Sequence, residues 1–208
     1  MEVRRLTVQR RRGSPELPRL IFLAVFFLLG LVFGQAIALR VPREILAELK
    51  AYLGEFLCLE HLAVSETVLS TLLLYFRYPL LAFLLGFASI GVIFLPVTGL
   101  AFGFFLSFSV SCFTTIFGRN GVLLALALFG FRCAVTIPAF FLLAVPSLNA
   151  SGTLAGIGKK GRRAMPVVYG KECWLRLAVV CGVLFAGALV DLMISPYLLD
   201  FVLRRILN

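Results

Sequence analysis

Arg132 and Asp191 are charged residues deep inside long apolar stretches of the chain, where a charge needs an explanation. Arg132 falls within the stretch 122–145, and Asp191 falls within the stretch 174–199. A guanidinium or carboxylate that faces hydrocarbon is costly, whereas the two groups can neutralise each other inside a helix bundle. The sequence therefore predicts an Arg132–Asp191 ion pair. A proton or ion pathway is the alternative, but Gln35, Arg132 and Asp191 alone are few positions for such a route, so we favour the pair.

Other patterns that could carry chemistry are weaker. Cys58 and His61 have the spacing of two metal ligands, but they lack a second pair nearby, so we expect no metal site. The sequence GIGKKG at 156–161 lacks the first glycine and the hydroxyl residue of a phosphate-binding loop. His61 is the only histidine, and no carboxylate pair lies in an apolar stretch, so acid–base or nucleophilic catalysis has no candidates. We expect no enzymatic activity, no catalytic residue and no cofactor.

The composition indicates which solvent surrounds these side chains. Hydrophobic residues make up 61% of the 208 residues, and the mean hydropathy is +1.04. Such values are typical of an integral membrane protein. The formal net charge of +10 could indicate nucleic acid, but the Lys and Arg residues cluster beside apolar stretches, where they orient a protein against anionic lipid. We therefore expect membrane lipid, and no nucleic acid, as the partner of these charges.

The apolar stretches predict an all-α, polytopic membrane helix bundle with about five transmembrane helices. Basic residues precede the first stretch, so we expect a cytosolic N-terminus and, after five crossings, an extracytoplasmic C-terminus. A cleaved signal peptide is the alternative for the first stretch, but its length favours an uncleaved helix. The predicted organisation is a basic cytosolic tail at 1–19 and a single membrane domain at 20–208, with spans at about 20–39, 80–94, 97–117, 122–145 and 174–199, an outer amphipathic segment at 41–76 and a basic cytosolic loop at 146–173.

Two connections follow from the same pattern. The apolar stretch 80–117 is too long for one span, so we expect two helices joined by a tight turn at Pro96. Residues 67–76 are too few to span, so we expect them at the outer interface, with Tyr75 and its aromatic neighbours Phe76 and Tyr78 in a belt.

The outer segment contains apolar residues at helical spacing, which predict an amphipathic helix. We expect this helix to lie on the membrane surface, and a docking face for a partner is the alternative. The apolar residues are Ile45, Leu49, Leu53 and Phe56.

Small residues four positions apart occur in two of the predicted spans. Gly99 and Gly103 lie in the third, and Gly182 and Ala186 lie in the fifth. Such pairs let helix backbones approach closely in lipid. We expect them to pack helices within the chain, and a dimer contact is the alternative.

Several motifs between about residues 75 and 145 resemble the stage II sporulation protein M family of spore-forming bacteria. They are Phe76-Arg77-Tyr78, Gly-Val-Ile followed by Leu-Pro at 91–96, a Gly-rich third helix, Gly-x-Asn-Gly at 118–121, and Ile-Pro-Ala-Phe at 137–140. Chain length and the number of spans also fit.

The resemblance implies a non-enzymatic membrane scaffold for forespore engulfment. It would recruit two peptidoglycan hydrolases, sporulation proteins P and D, to the septal membrane of the mother cell, with contacts expected at Arg77 and the segment 41–76. Relatives in other bacteria resemble permease-like subunits of ATPase-coupled transporters. In that alternative the basic loop at 159–171 would contact the ATPase.

Overall fold

The structure is a computed structural model, and it describes residues 16–42, 44, 45, 48, 64–156 and 171–207. Every regular element in these residues is a helix. In chain order they are α1 (Leu17–Ala38), α2 (Val64–Leu85), α3 (Gly91–Phe117), α4 (Arg119–Ala125), a π-helical turn (Leu126–Gly130), α5 (Phe131–Leu154) and α6 (Lys171–Leu207).

Five helical segments of the described chain are long and apolar enough to cross a membrane. They are Leu17–Ala38, Val68–Leu85, Gly91–Ile116, Gly121–Leu154 and Lys171–Ile194. The fourth runs through α4, the π-helical turn and α5 as one continuous helical unit. The predicted all-α, multi-pass membrane fold is therefore confirmed, while the sides on which the termini lie stay a prediction.

The turn between the second and third spans is a correction to the sequence analysis. α2 ends at Leu85, the chain turns at 86–90, and Pro96 lies inside α3. A proline five residues after the first residue of a helix removes only one internal hydrogen bond, and neighbouring helices make this tolerable in membranes. The turn needs close backbone approach instead, since a Cβ on Gly91 would lie 2.0 Å from the Leu85 carbonyl oxygen. The predicted boundary between spans 80–94 and 97–117 was wrong.

A hydroxyl from another helix holds this turn. The Ser151 Oγ of α5 donates a 2.7 Å hydrogen bond to the carbonyl oxygen of Ala88. α5 therefore continues to Leu154, beyond the predicted end at Val145, with Pro146 inside the helix. The helical turns after Pro146 place Ser147 and Ser151 against residues 86–90. These contacts stabilise the helix beyond the proline.

The residues expected at the outer interface belong to α2. Residues 67–76 continue without a break into 77–85, and together they reach spanning length. Tyr75 is fully buried, so it is not part of an interfacial belt. Pro79 is inside the helix and is also buried. Of the other predicted segments, the tail 1–15, most of 43–63 and the loop 157–170 lie outside the described residues.

Glycines let α1 and α3 pack with their backbones in contact. A Cβ on Gly30 would lie 2.1 Å from the Leu100 carbonyl oxygen, and one on Gly34 would lie 2.4 Å from that of Phe104. Gly103 of α3 makes the reciprocal approach, at 2.3 Å from the Phe27 carbonyl oxygen. Lipid provides no hydrophobic drive between helices, so dispersion across such close contacts is what joins them.

One apolar cluster connects this pair to α2 and α5, and another joins α2, α5 and α6. The first is aromatic: the Phe102 ring stacks on Tyr78 at 4.5 Å and meets Phe27 and Phe140 edge-on, each at 5.6 Å. The second joins α2, α5 and α6 and consists of Tyr75, Phe83, Ala139, Leu143, Val180, Leu184 and Ala188. The second cluster packs the helices that hold the charged residues.

Candidate functional site

The charged residues predicted to pair lie together between α5 and α6. Arg132 Nη2 is 3.3 Å from Asp191 Oδ2, and the two side chains are 23% and 7% exposed. Both carry their charge into the bundle, where a carboxylate without a cation would be strongly disfavoured. The contact neutralises both groups and links two spans.

Local structure on each helix positions this pair. The π-helical turn Leu126–Gly130 directly precedes α5. Its i→i+5 hydrogen bonds include one more residue per turn than an α-helix, which rotates the following residues and so determines the helix face that carries Arg132. On α6, a Cβ on Gly187 would lie 3.0 Å from the Val135 side chain. That close approach brings α6 near enough to α5 for Asp191 to reach Arg132.

Tyr75 of α2 is the third member of the cluster, and the sequence analysis missed it. The Arg132 guanidinium carbon lies 5.6 Å from the centre of the Tyr75 ring, within the range of a cation–π contact. Tyr75 lies on a face of α2 with Thr71, Pro79 and Ala82, all buried, whereas leucines populate the opposite face. Polar or small residues that recur on one face of an apolar helix mark the face that packs inside a bundle, and this pattern could have identified Tyr75 as a buried residue.

Two polar atoms of the cluster have no hydrogen-bond partner among the described residues. They are the Tyr75 hydroxyl and Arg132 Nε, both buried. Arg132 has five N–H donors, and a single contact with Asp191 leaves hydrogen-bonding capacity unused. The cluster can hold a water or another acceptor, but it contains no nucleophile paired with a base. No group of three or more potential metal ligands occurs in the described residues, and Cys58 and His61 lie outside them.

The remaining polar contacts between helices lie in other parts of the bundle. Ser111 of α3 donates a hydrogen bond to the Gln35 side-chain oxygen of α1. Ser151 of α5 bonds to the turn after α2. Gln35 therefore contacts a neighbouring span and is not joined to Arg132 or Asp191 by any hydrogen bond in the described residues.

The predicted small-residue contacts divide into two groups. Gly103 is a true contact, as described above, and a Cβ on Gly99 would be in ordinary contact with the Phe140 ring at 3.6 Å. A Cβ on Gly182 would have no described atom within 4 Å, and Ala186 is exposed. The helix packing expected of this second pair within the chain was wrong, because α6 packs through the face that bears Leu184 and Asp191.

The close contact that the sequence analysis missed is on α1. Gly30 and Gly34 are separated by three residues, GLVFG at 30–34, so the same rule applied to the first span would have found them.

The residues predicted to touch partners are described only in part. Arg77 is exposed on α2, and Ile45 is 54% exposed. Leu49, Leu53 and Phe56 lie outside the described residues.

Comparison with known proteins identifies no relative of this chain. No family model matches the sequence, and neither a curated protein nor a solved structure is similar to it.

Proposed function

We propose that the chain is a non-enzymatic membrane scaffold that holds partner proteins at the membrane. The observation that carries the proposal is the Arg132–Asp191 contact, in which the charges of two spans neutralise each other and tie α5 to α6. Because either charge alone would be costly inside the bundle, the pair favours the packing in which these two helices meet. The other polar contacts between helical segments, Gln35 with Ser111 and Ser151 with Ala88, also join one part of the bundle to another.

The sequence motifs narrow the class of partner. The resemblance to the stage II sporulation protein M family supports a role in recruiting peptidoglycan hydrolases, sporulation proteins P and D, for septal wall remodelling and forespore engulfment. Phe76-Arg77-Tyr78 is among the motifs that carry this resemblance, and Arg77 is exposed on the outer face of α2. A membrane-spanning surface of this kind supports recruitment through contacts within the bilayer.

The test is cross-linking and affinity purification of the tagged full chain from its own host during early sporulation. We expect peptidoglycan hydrolases to be recovered, and Arg132→Ala to reduce their recovery by unfolding the bundle. Recovery of no hydrolase from cells that contain the folded, wild-type chain would overturn the scaffold proposal.

A permease-like subunit of an ATPase-coupled transporter is the second candidate. The two buried polar atoms without partners, the Tyr75 hydroxyl and Arg132 Nε, favour it, since a purely structural pair does not need them. The same purification distinguishes the two functions. Recovery of an ATPase cross-linked to the basic loop at 159–171 would support transport and make the Tyr75, Arg132 and Asp191 cluster part of a translocation path.

A further inference from the structure

Arg77 is a cation on the outward face of a membrane-spanning helix. It follows Tyr75 by two residues, which is about 200° around an α-helix, so the two side chains lie on opposite faces of α2. Tyr75 is fully buried and Arg77 is exposed. The guanidinium lies 5.2 Å from the centre of the Tyr78 ring, and no described carboxylate lies within ion-pair distance of it.

The position of Arg77 along α2 is close to the middle of the span. The span is Val68–Leu85, so Arg77 is about 12 Å from either end at 1.5 Å per residue. An arginine that snorkels moves its charge by only about 6 Å along the helix, which leaves it short of the interface. Tyr75, one half-turn away, lies against Arg132 of the interior pair. Arg77 and that pair are therefore at a similar depth, but only the pair is neutralised within the described residues.

The face of α2 around Arg77 has the residue spacing of a helix-packing surface. Leu73, Leu74, Phe76, Arg77 and Leu80 line a shallow, open depression on this face of α2. Positions 73, 76, 77 and 80 recur at the three- and four-residue intervals by which one helix receives the side chains of another. An apolar helix face with this spacing can pack against another helix, and a charge within the contact favours an opposite charge on the partner.

We propose that the Arg77 face of α2 docks a membrane-spanning helix of a partner protein that carries a carboxylate near the middle of its span. This inference rests on the proposed scaffold function and names the chemistry by which the partner is recognised. A carboxylate opposite Arg77 would form a charge-assisted, bidentate contact. Leu73 and Leu80 would pack against the partner helix on either side of it.

Lipid phosphate is the competing anion, and the geometry disfavours it. A headgroup phosphate lies at the interface, about 12 Å from Arg77 along the helix axis. A side chain on a spanning helix, by contrast, can be placed at any depth. The exposed leucines on either side of Arg77, Leu73 and Leu80, also suit contact with a continuous helix better than contact with a single headgroup.

The experiment measures association of the full chain with designed probe helices in phosphatidylcholine vesicles. Each probe is a leucine- and alanine-rich peptide of about 20 residues with one central residue, which is Glu, Lys or Leu. Energy transfer between a dye on the protein and a dye on the probe reports association. We expect the Glu probe to bind the wild type roughly five- to thirtyfold more tightly than the Leu probe, the range expected for one interhelical polar contact in a membrane.

Substitutions assign the binding to this surface. Arg77→Leu should remove the preference for the Glu probe, while Arg40→Leu, which removes an exposed cation just after α1, should leave it unchanged. Arg77→Glu should transfer the preference to the Lys probe, a gain that an unfolded protein cannot produce. Leu80→Trp should weaken binding of the Glu probe by placing a bulky ring on the contact face, whereas Leu28→Trp, at an exposed position of α1, should leave binding unchanged.

Several results would overturn the inference. They are equal binding of all three probes, an unchanged Glu preference in Arg77→Leu, or loss of the Glu preference when phosphatidylglycerol is added, which would assign Arg77 to lipid. The scaffold function fails separately. If hydrolases copurify equally with the wild type and Arg77→Leu, the scaffold function is supported and the Arg77 docking surface is refuted. If the Glu probe binds through Arg77 but no hydrolase is recovered, the docking surface stands and the hydrolase scaffold falls.

Discussion

The Arg132–Asp191 pair makes the sharpest prediction about the stability of the bundle. We consider Arg132→Met, Asp191→Leu and the variant with both changes. Either single change leaves one charged group inside the bundle without its partner, whereas the double change replaces both with apolar side chains of similar size. The single variants should therefore be less stable than the double variant, although the double variant carries more substitutions.

The magnitude follows from the geometry of the contact. Two unit charges 3.3 Å apart attract each other by about 5 kcal/mol at an effective dielectric constant of ~20. Desolvation of both groups offsets much of this attraction in the intact pair, so its net contribution is small. A lone charge at either position keeps the desolvation cost without the attraction. Because Arg132 is 23% exposed, we expect about 2–3 kcal/mol of destabilisation for each single change, ~1 kcal/mol for the double change, and therefore a coupling energy of about 4 kcal/mol.

The assay is unfolding of the four proteins in mixed micelles with increasing sodium dodecyl sulfate. Trp174 is the only tryptophan, and its ring lies 6.1 Å from Phe83 in the cluster that joins α2, α5 and α6. Its fluorescence therefore reports the separation of the helices that hold the pair. Arg40→Met is the control, because it removes an exposed cation outside the spans and should change stability by less than about 0.5 kcal/mol.

Additive single changes would refute this reasoning. If the double variant lost as much stability as the two single variants together, the charges would not interact in the folded protein. Strong weakening of the coupling by added salt would also contradict it, since a buried pair is screened much less than an exposed one.

Three further substitutions test contacts elsewhere in the bundle, with the same unfolding assay. Gly103→Ala should destabilise the bundle by about 1–3 kcal/mol because the new Cβ would lie 2.3 Å from a carbonyl oxygen of α1. The control Gly182→Ala places its Cβ in open space and should change stability by less than about 0.5 kcal/mol. Equal effects of the two variants would contradict the α1–α3 contact. Tyr75→Phe should be neutral or slightly stabilising because it removes a buried hydroxyl that has no partner, and a loss above ~1 kcal/mol would indicate a hydrogen bond to that hydroxyl. Ser151→Ala should lower the free energy of unfolding by about 1 kcal/mol because it removes the hydrogen bond to the turn after α2. Amide hydrogen exchange in that turn should become faster, and unchanged exchange would show that Ser151 does not hold the turn.

The distribution of polar groups explains how a chain with so few of them forms a specific bundle. Apolar side chains are as well solvated by lipid as by one another, so they do not decide which helix packs against which. Close glycine contacts and a few polar contacts make that choice. α1 meets α3 through Gly30, Gly34 and Gly103, and α5 meets α6 through Arg132 and Asp191.

Composition and the lengths of the apolar stretches were enough to predict the membrane fold and the number of spans. A helix satisfies its own backbone hydrogen bonds in lipid, so an apolar stretch of sufficient length has essentially one structure available to it. The candidate ion pair followed from the same physics, because a charge that faces lipid is costly and Arg132 and Asp191 are opposite charges that can neutralise each other inside the bundle.

Tertiary contacts decided the features that no local pattern could determine. The turn at 86–90 depends on Gly91 and on a hydroxyl of Ser151, which is about 60 residues away in the chain, so the proline at 96 misled the prediction. Tyr75 joined the charged cluster only once α2 had packed against α5. The outward position of Arg77 follows from that same packing, because burying one face of α2 exposes the other. The sequence determines which segments enter the membrane, because transfer into lipid depends on each segment separately. Pairing between segments depends on shape and on polar contacts that exist only after the helices meet.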